Sequence, residues 1–385
     1  MRTTPTNPQA VSGERDEAAY GRIEMRLPGR QWLVVAFLVA AVLAGLPVLG
    51  QRCVPLHAGE GYRIPYDRSN DYWLFQQYSR LVAARSQIVV LGDSVVWGQY
   101  VAADQTLTHC LNACVGGSRF ANLGVDGMYP AAMTGLLDQY GQAITNAHVI
   151  LHCNPLWFAS KEHDLRAGKE FRFNHPELLP QFSAGISAYR ASFGDRLDIS
   201  VNRVLAFRPW VKHWRSSCLD GEDLASWTLQ HPYDSPFGTG VDVASRDEQP
   251  RHSSASWKDR GATVQDFPWV DLSESPQWRG FRDVVDTLRT RSNSVLVVLG
   301  PFNEHMLSPR SLKAYGRLKE QTESWLRNSG VPVVSPAVLP SQDYADASHP
   351  LASGYTILAR ELLSNRAFAE FADMPRSRAN QGAPP

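Results

Sequence analysis

Four short stretches carry the residue types from which acyl-ester chemistry is built: Gly92-Asp93-Ser94, Asn122 to Gly127, Asn154, and Asp346-Ala-Ser-His349. They offer a nucleophile, amide donors for an oxyanion, and a base with a carboxylate three residues before it. A serine hydroxyl is a weak nucleophile near neutrality, so a neighbour must take its proton as the bond to the acyl carbon forms. An imidazole, titrating at about pH 6.5, suits that task. Asp346 can reach the other ring nitrogen of His349, fix its tautomer and stabilise the imidazolium. Each stretch also has an ordinary reading. Gly-Asp-Ser is a common turn, Asn154-Pro155 is a turn-forming pair, and Asp346 can cap a helix starting near Pro350. Their joint order, each after an apolar strand-like run or near the end of the domain, favours the chemical reading.

These stretches resemble the sequence blocks of the SGNH (GDSL-type) hydrolase superfamily. The likeness rests on Ile88-Val-Val-Leu-Gly-Asp-Ser94, Asn122-Leu-Gly-Val-Asp-Gly127, Cys153-Asn154, and Asp346-Ala-Ser-His349-Pro followed by Ser353-Gly-Tyr355. It covers residues 86–160 and 290–365. It implies an α/β fold, a three-layer α/β/α flavodoxin-like arrangement with a parallel sheet. It further implies Ser94 as nucleophile, His349 as base and Asp346 as its orienter. The Ser94 amide, the Gly127 amide and the Asn154 side chain would form the oxyanion hole. Gly127 is preferred to Gly124 because the last glycine of the second block usually takes this role. The third block departs from the usual Gly-x-Asn-Asp: here it reads His152-Cys153-Asn154-Pro155, which changes the wall of the pocket. No cofactor and no metal is expected.

Other residues near these blocks are candidates for touching substrate. Asp93 could assist the site or hold the turn through local hydrogen bonds. His152 could meet substrate or be a strand-end histidine with a structural partner. Asn303, Glu304 and His305 follow a strand and could line the same edge. Glu162, His163 and Asp164 invite a metal reading, but adjacent residues cannot all point one way, so a solvated loop is expected.

The elements that must position these groups follow from hydrophobic periodicity. Gln87 to Leu91 reads as a strand turning sharply at Gly92, with a helix beginning after it. Such a strand-turn-helix lifts a serine to the carboxyl end of a sheet. Further strands are expected ending near Val125, over His148 to His152, Ser294 to Leu299 and Val331 to Val334. Helices are expected over Asp71 to Ala84, Met133 to Tyr140, Trp278 to Arg289, Ser311 to Ser329 and Leu351 to Leu363. This alternation predicts a parallel sheet covered on both faces. Residues 161–289 form a large insertion or cap. Its tryptophans, Trp210, Trp214, Trp227, Trp257, Trp269 and Trp278, suit either stacking on sugar rings or a core, and the core is favoured.

Residues 31–51 hold no charged side chain and are long enough to cross a bilayer of about 30 Å as a helix. A buried core helix and a cleavable signal are the competing readings; an uncleaved anchor is favoured. Arg15, Arg22, Arg26 and Arg30 precede the segment against Arg52, Arg63 and Arg68 after it, a slight bias to a cytoplasmic N-terminus. That arrangement predicts a disordered cytoplasmic tail (1–30), a transmembrane helix (31–51), a stalk and leading helix (52–85), an extracytoplasmic catalytic domain, and a disordered tail (366–385). Lys plus Arg equal Asp plus Glu at 38 each, and without a basic run no nucleic-acid partner is expected. An oxidising compartment would permit Cys110 to pair with Cys114, though buried unpaired thiols are the plainer expectation for the five cysteines.

Two activities fit. One is a membrane-anchored serine esterase removing acyl groups, acetyl first among them, from an extracytoplasmic glycan or related ester. The other is an O-acyltransferase that passes the acyl group from Ser94 to a sugar hydroxyl. Proteins of similar layout do this beside a multi-spanning membrane acyltransferase, which would be the partner. A non-catalytic glycan-binding protein is the third reading.

Overall fold

The computed structural model describes residues 27–374 apart from 54–55, 57, 60, 168–173, 183–185, 187, 220 and 236–251. The expected N-terminal tail to residue 26, the Phe237-Gly-Thr-Gly turn and residues 375–385 lie outside the described residues.

In chain order the elements begin with α1 (Gly29–Cys53), α2 (Tyr72–Ala84), β1 (Ile88–Gly92), α3 (Ser94–Trp97), α4 (Leu107–Val115), β2 (Phe120–Gly124), α5 (Pro130–Tyr140) and β3 (His148–Cys153). Three helices follow in the insertion: α6 (Phe193–Val204), α7 (Phe207–Cys218) and α8 (Leu224–Gln230). The chain closes with α9 (Pro276–Thr290), β4 (Ser294–Leu299), α10 (Pro309–Asn328), β5 (Val333–Val334), α11 (Ala352–Ser364) and α12 (Arg366–Asp373). By contacts the chain divides into Met1–Leu43 and Ala44–Pro385. The described part of the first unit is Leu27, Pro28 and the first part of α1, a helix whose Gly29–Gly50 stretch has a mean hydropathy of 2.6 and is long and apolar enough to cross a membrane.

In the second unit all five strands run parallel in the order β2-β1-β3-β4-β5. This is the doubly wound order in which the chain reverses direction beside β1. Right-handed crossovers then send connections to opposite faces. On one face Val89, Leu91, Val149 and Leu151 pack against α2, α5 and α9 through Phe75, Leu136 and Phe281. On the other, Val90 and Ile150 pack against α3, α4 and α11 through Val96, Leu111 and Leu358. Helices cover both faces, so β1 and β3 are buried along their length and read as continuous apolar runs instead of alternating ones.

Most boundaries fall within a few residues of expectation. β5 starts later than expected because Pro332 has no amide to give the ladder. α5 starts earlier, at Pro130, a residue suited to the first helical turn. Three expectations are corrected. Part of the expected stalk is core: Ala58, Tyr62 and Ile64 belong to it. The C-terminal tail begins later than residue 366, because Asn365 caps α12 by accepting from the Phe368 amide at 3.2 Å. That helix buries Phe368 and Phe371. Finally, α9 packs on α5 as part of the helical layer, so the insertion ends near Ser275. Gly280 permits that packing, since a Cβ there would fall 2.7 Å from the Ala131 amide nitrogen.

Of the six tryptophans, Trp227, Trp257 and Trp278 are buried and Trp269 packs half-buried between both core clusters. The core reading holds for these. Cys110, Cys114, Cys153 and Cys218 are free thiols, so Cys110 and Cys114 are not paired.

Candidate active site

Every residue from Ile88 to Gly98 is buried except Ser94, so the turn that ends β1 presents one side chain to the surface. Asp93 makes that turn by accepting from the Val95 amide at 3.0 Å. Ser94 becomes the first residue of α3. Close packing of α3 on β2 depends on Gly124, where a Cβ would fall 2.4 Å from the Trp97 amide nitrogen. Asn122 ties the same two elements, donating to the Val96 carbonyl at 2.9 Å.

The Ser94 hydroxyl lies 2.8 Å from His349 Nε2. On its other side the ring meets Asp346, with Nδ1 at 2.8 Å from Oδ1 and 2.9 Å from Oδ2. With Nδ1 donating to the carboxylate, Nε2 carries the lone pair that accepts the Ser94 proton. Asp346 also accepts from the Ser348 and His349 amides, each at 3.0 Å. These two bonds close the turn that carries His349; the expected cap is not formed, because the N-cap of α11 is Leu351 and no side chain caps it. Burial alone would push the His349 pKa down, but the Asp346 carboxylate, and at longer range Asp93 and Asp126, hold it above its ordinary value. Burial likewise opposes ionisation of Asp346, yet the imidazole and the two amides hold its carboxyl well below the usual range.

Asn154 follows β3, whose register aligns Leu151 with Leu91 of β1. Its side chain donates to Asp93 Oδ2 at 2.7 Å and accepts from the Leu156 amide at 3.0 Å. Its amide orientation is thus set: one N–H is committed to Asp93 and the second remains for a ligand. Both readings of this residue, turn-former and donor, are compatible. Asp93 is buried, which would raise its pKa, but the His152 ring and the Asn154 amide hold it down. Its charge reaches Tyr129, whose phenol is pushed up to about 12 by burial and then by Asp93.

The structure assigns His152 a structural place. It is buried, with Nδ1 3.1 Å from Asp93 Oδ1. The approach is out of line for a hydrogen bond, and the ring packs against the carboxylate that makes the turn after β1. Asn303 is wholly buried, donating to the Asp346 carbonyl at 3.0 Å and taking the Ala347 carbonyl on its own amide at 2.8 Å. It orders the Asp-His loop from beneath and does not line a substrate surface. His305 is committed to the Leu339 carbonyl at 3.0 Å. Burial removes Asn303 from the expected substrate contact, whereas His305 is exposed. Asp164 is no part of a solvated loop: it is buried, with Oδ2 2.6 Å from Arg166 Nε.

Gly127 lies in the loop after β2 with φ at 65°, a conformation that favours glycine. A Cβ there would fall 2.0 Å from Asn174 Nδ2, so an insertion residue lies directly over this glycine. Its neighbour His175 donates from Nε2 to the Asp126 carbonyl at 2.7 Å and accepts from the Tyr72 hydroxyl at 3.0 Å.

Arg63, Tyr100 and Arg260 had no signal in the sequence as residues of the site. Arg63, wholly buried, donates to the Trp97 and Gly98 carbonyls at 3.1 and 2.7 Å and stacks on Trp97, bracing the end of α3. Tyr100 meets His349 edge-on with ring centroids 5.3 Å apart. The Arg260 guanidinium lies 4.6 Å from the centre of the Tyr100 ring. Tyr355, inside the last block, donates to the Val95 carbonyl at 2.6 Å.

The fold and site define an α/β protein with a hydrogen-bonded Ser-His-Asp arrangement at the carboxyl edge of a parallel sheet, beside the strand reversal where such sheets place ligands. No protein-family model matches this chain, and no curated protein matches it.

Proposed function

We propose that this protein is a serine-dependent acyl-ester hydrolase of SGNH type. The observation that carries this reading is the continuous Ser94–His349–Asp346 hydrogen-bonded chain, with Asn154 held so that one N–H is free. The hydroxyl attacks an ester carbonyl as His349 takes its proton. The Ser94 amide, the Gly127 amide and Asn154 receive the oxyanion, and His349 returns the proton to the leaving alkoxide. Water then repeats the sequence on the acyl-serine. In this reading α1 anchors the protein as a single pass, the second unit is extracytoplasmic, and a glycan ester is the substrate class.

The full-length protein in detergent should hydrolyse a small aryl acetate. Ser94→Ala and His349→Ala should each lower kcat by at least about 10⁴-fold. Activity that survives Ser94→Ala in a homogeneous preparation would refute the proposal.

Transfer to a sugar hydroxyl is the second reading, favoured by Asn174, an insertion residue that reaches the rim over Gly127. Acceptor selection by the insertion would suit it, as would a multi-spanning membrane acyltransferase as acyl source. Incubation with an aryl acetate and an oligosaccharide, read by mass spectrometry, separates the two. Acylated sugar supports transfer, and acetate alone supports hydrolysis.

A further inference from the structure

Helix α6 is amphipathic in the wrong sense for water. At 100° per residue, Phe193, Leu197, Val201 and Val204 fall within an arc of about 80°. These four are 73%, 49%, 43% and 83% exposed. The arginines face the body instead. Arg196 donates to the carbonyls of Gln181, Ala191 and Tyr189, and Arg203 to those of Glu177 and Leu179. The helix is therefore pinned by its cations with its apolar stripe outward. Phe182, 59% exposed, extends the stripe with its ring 5.9 Å from that of Phe193.

What covers the stripe is indicated by the next helix. Trp210 of α7 lies against Gly50, where a Cβ would fall 2.2 Å from the indole Nε1. Gly50 is the last residue of the apolar stretch long enough to span a bilayer, and both residues belong to the unit that starts at Ala44. An indole at the end of an apolar span is where a membrane interface favours one.

We infer that the outward apolar face of α6 lies in the headgroup layer of the membrane that α1 crosses, making the insertion a second, monotopic membrane contact. The inference rests on α1 being a span, and not on the esterase reading. The test places a nitroxide on Val204→Cys, and separately on Leu197→Cys, with the accessible native cysteines replaced by serine. The full chain is reconstituted in vesicles of phosphatidylcholine and phosphatidylglycerol. Labels on Val39→Cys in α1 and on Glu320→Cys, exposed on α10, give the lipid and aqueous references.

Power saturation should show both α6 labels several-fold less accessible to a nickel chelate than the Glu320 label, and more accessible to oxygen. Aqueous behaviour at both α6 positions with Val39 in lipid overturns the inference. So does spin–spin broadening that grows with the protein-to-lipid ratio, which would mean that a second copy covers the stripe. An aqueous Val39 removes the span itself, and the inference with it.

Discussion

Asn154 donates to Asp93 in the turn that ends β1, so the direction of its remaining N–H depends on that carboxylate. Asn154→Ala should lower kcat by about 10²–10³-fold with little change in KM, the cost expected for one oxyanion donor; aryl acetate kinetics measure it. Asp93→Asn should also lower kcat, by disordering that donor. A second consequence concerns pH. His349 acts as base only when neutral, and Asp346 holds its pKa above the ordinary value. The acid limb of kcat/KM should therefore lie above about 6.5. In Asp346→Asn the limb should move down and turnover should fall by roughly 10⁴-fold, because the tautomer is no longer fixed. A limb unchanged in that variant would assign the titration to another group.

At the scale of elements, the site depends on the close fit of α3 against β2. Gly124 makes the approach possible, Asn122 of β2 holds the Val96 carbonyl and Arg63 holds the Gly98 carbonyl. Gly124→Ala places a methyl against the backbone, which cannot rotate away. It should cost about 1–3 kcal/mol of stability by urea melt and should reduce activity further than the folded fraction explains, because Ser94 moves with α3. The same substitution at Gly316, where nothing lies within 4 Å, is the control; replacing this mid-helix glycine should leave activity unchanged.

Across the whole molecule, the insertion is coupled to the sheet through His175, which joins Tyr72 of α2 to the Asp126 carbonyl in the loop after β2. Burial depresses its pKa to about 4, against about 6.5 unfolded. A depressed histidine pKa means that its contribution is complete above pH 6.5 and is lost as pH falls toward 4. The shift corresponds to a loss on the order of 3 kcal/mol. His349, with its raised pKa, has the opposite sign, but its gain is complete by pH 6.5 and does not mask this window. Thermal melts of the full chain in detergent should thus fall between pH 6.5 and 4. His175→Gln should melt lower at pH 7 yet lose much of that slope; an unchanged slope would exclude His175 as its source.

The sequence by itself determined the alternating strands and helices and the blocks at their ends. A continuous apolar run can only be buried on both faces, and a parallel strand delivers its following residue to one edge. The placement of Ser94, His349, Asp346 and Asn154 was legible for that reason: each stands at a strand end or within three residues of a partner. Only tertiary structure decided what His152 and Asn303 do, because facing a substrate or supporting the loop beneath it depends on neighbours far away in the chain. The same holds for Arg63, in a stretch that reads as a stalk, and for Asn174 and His175, in an insertion without periodicity. Their partners lie tens to hundreds of residues away in the sequence, and local pattern carries no information about contacts made only when the chain closes on itself.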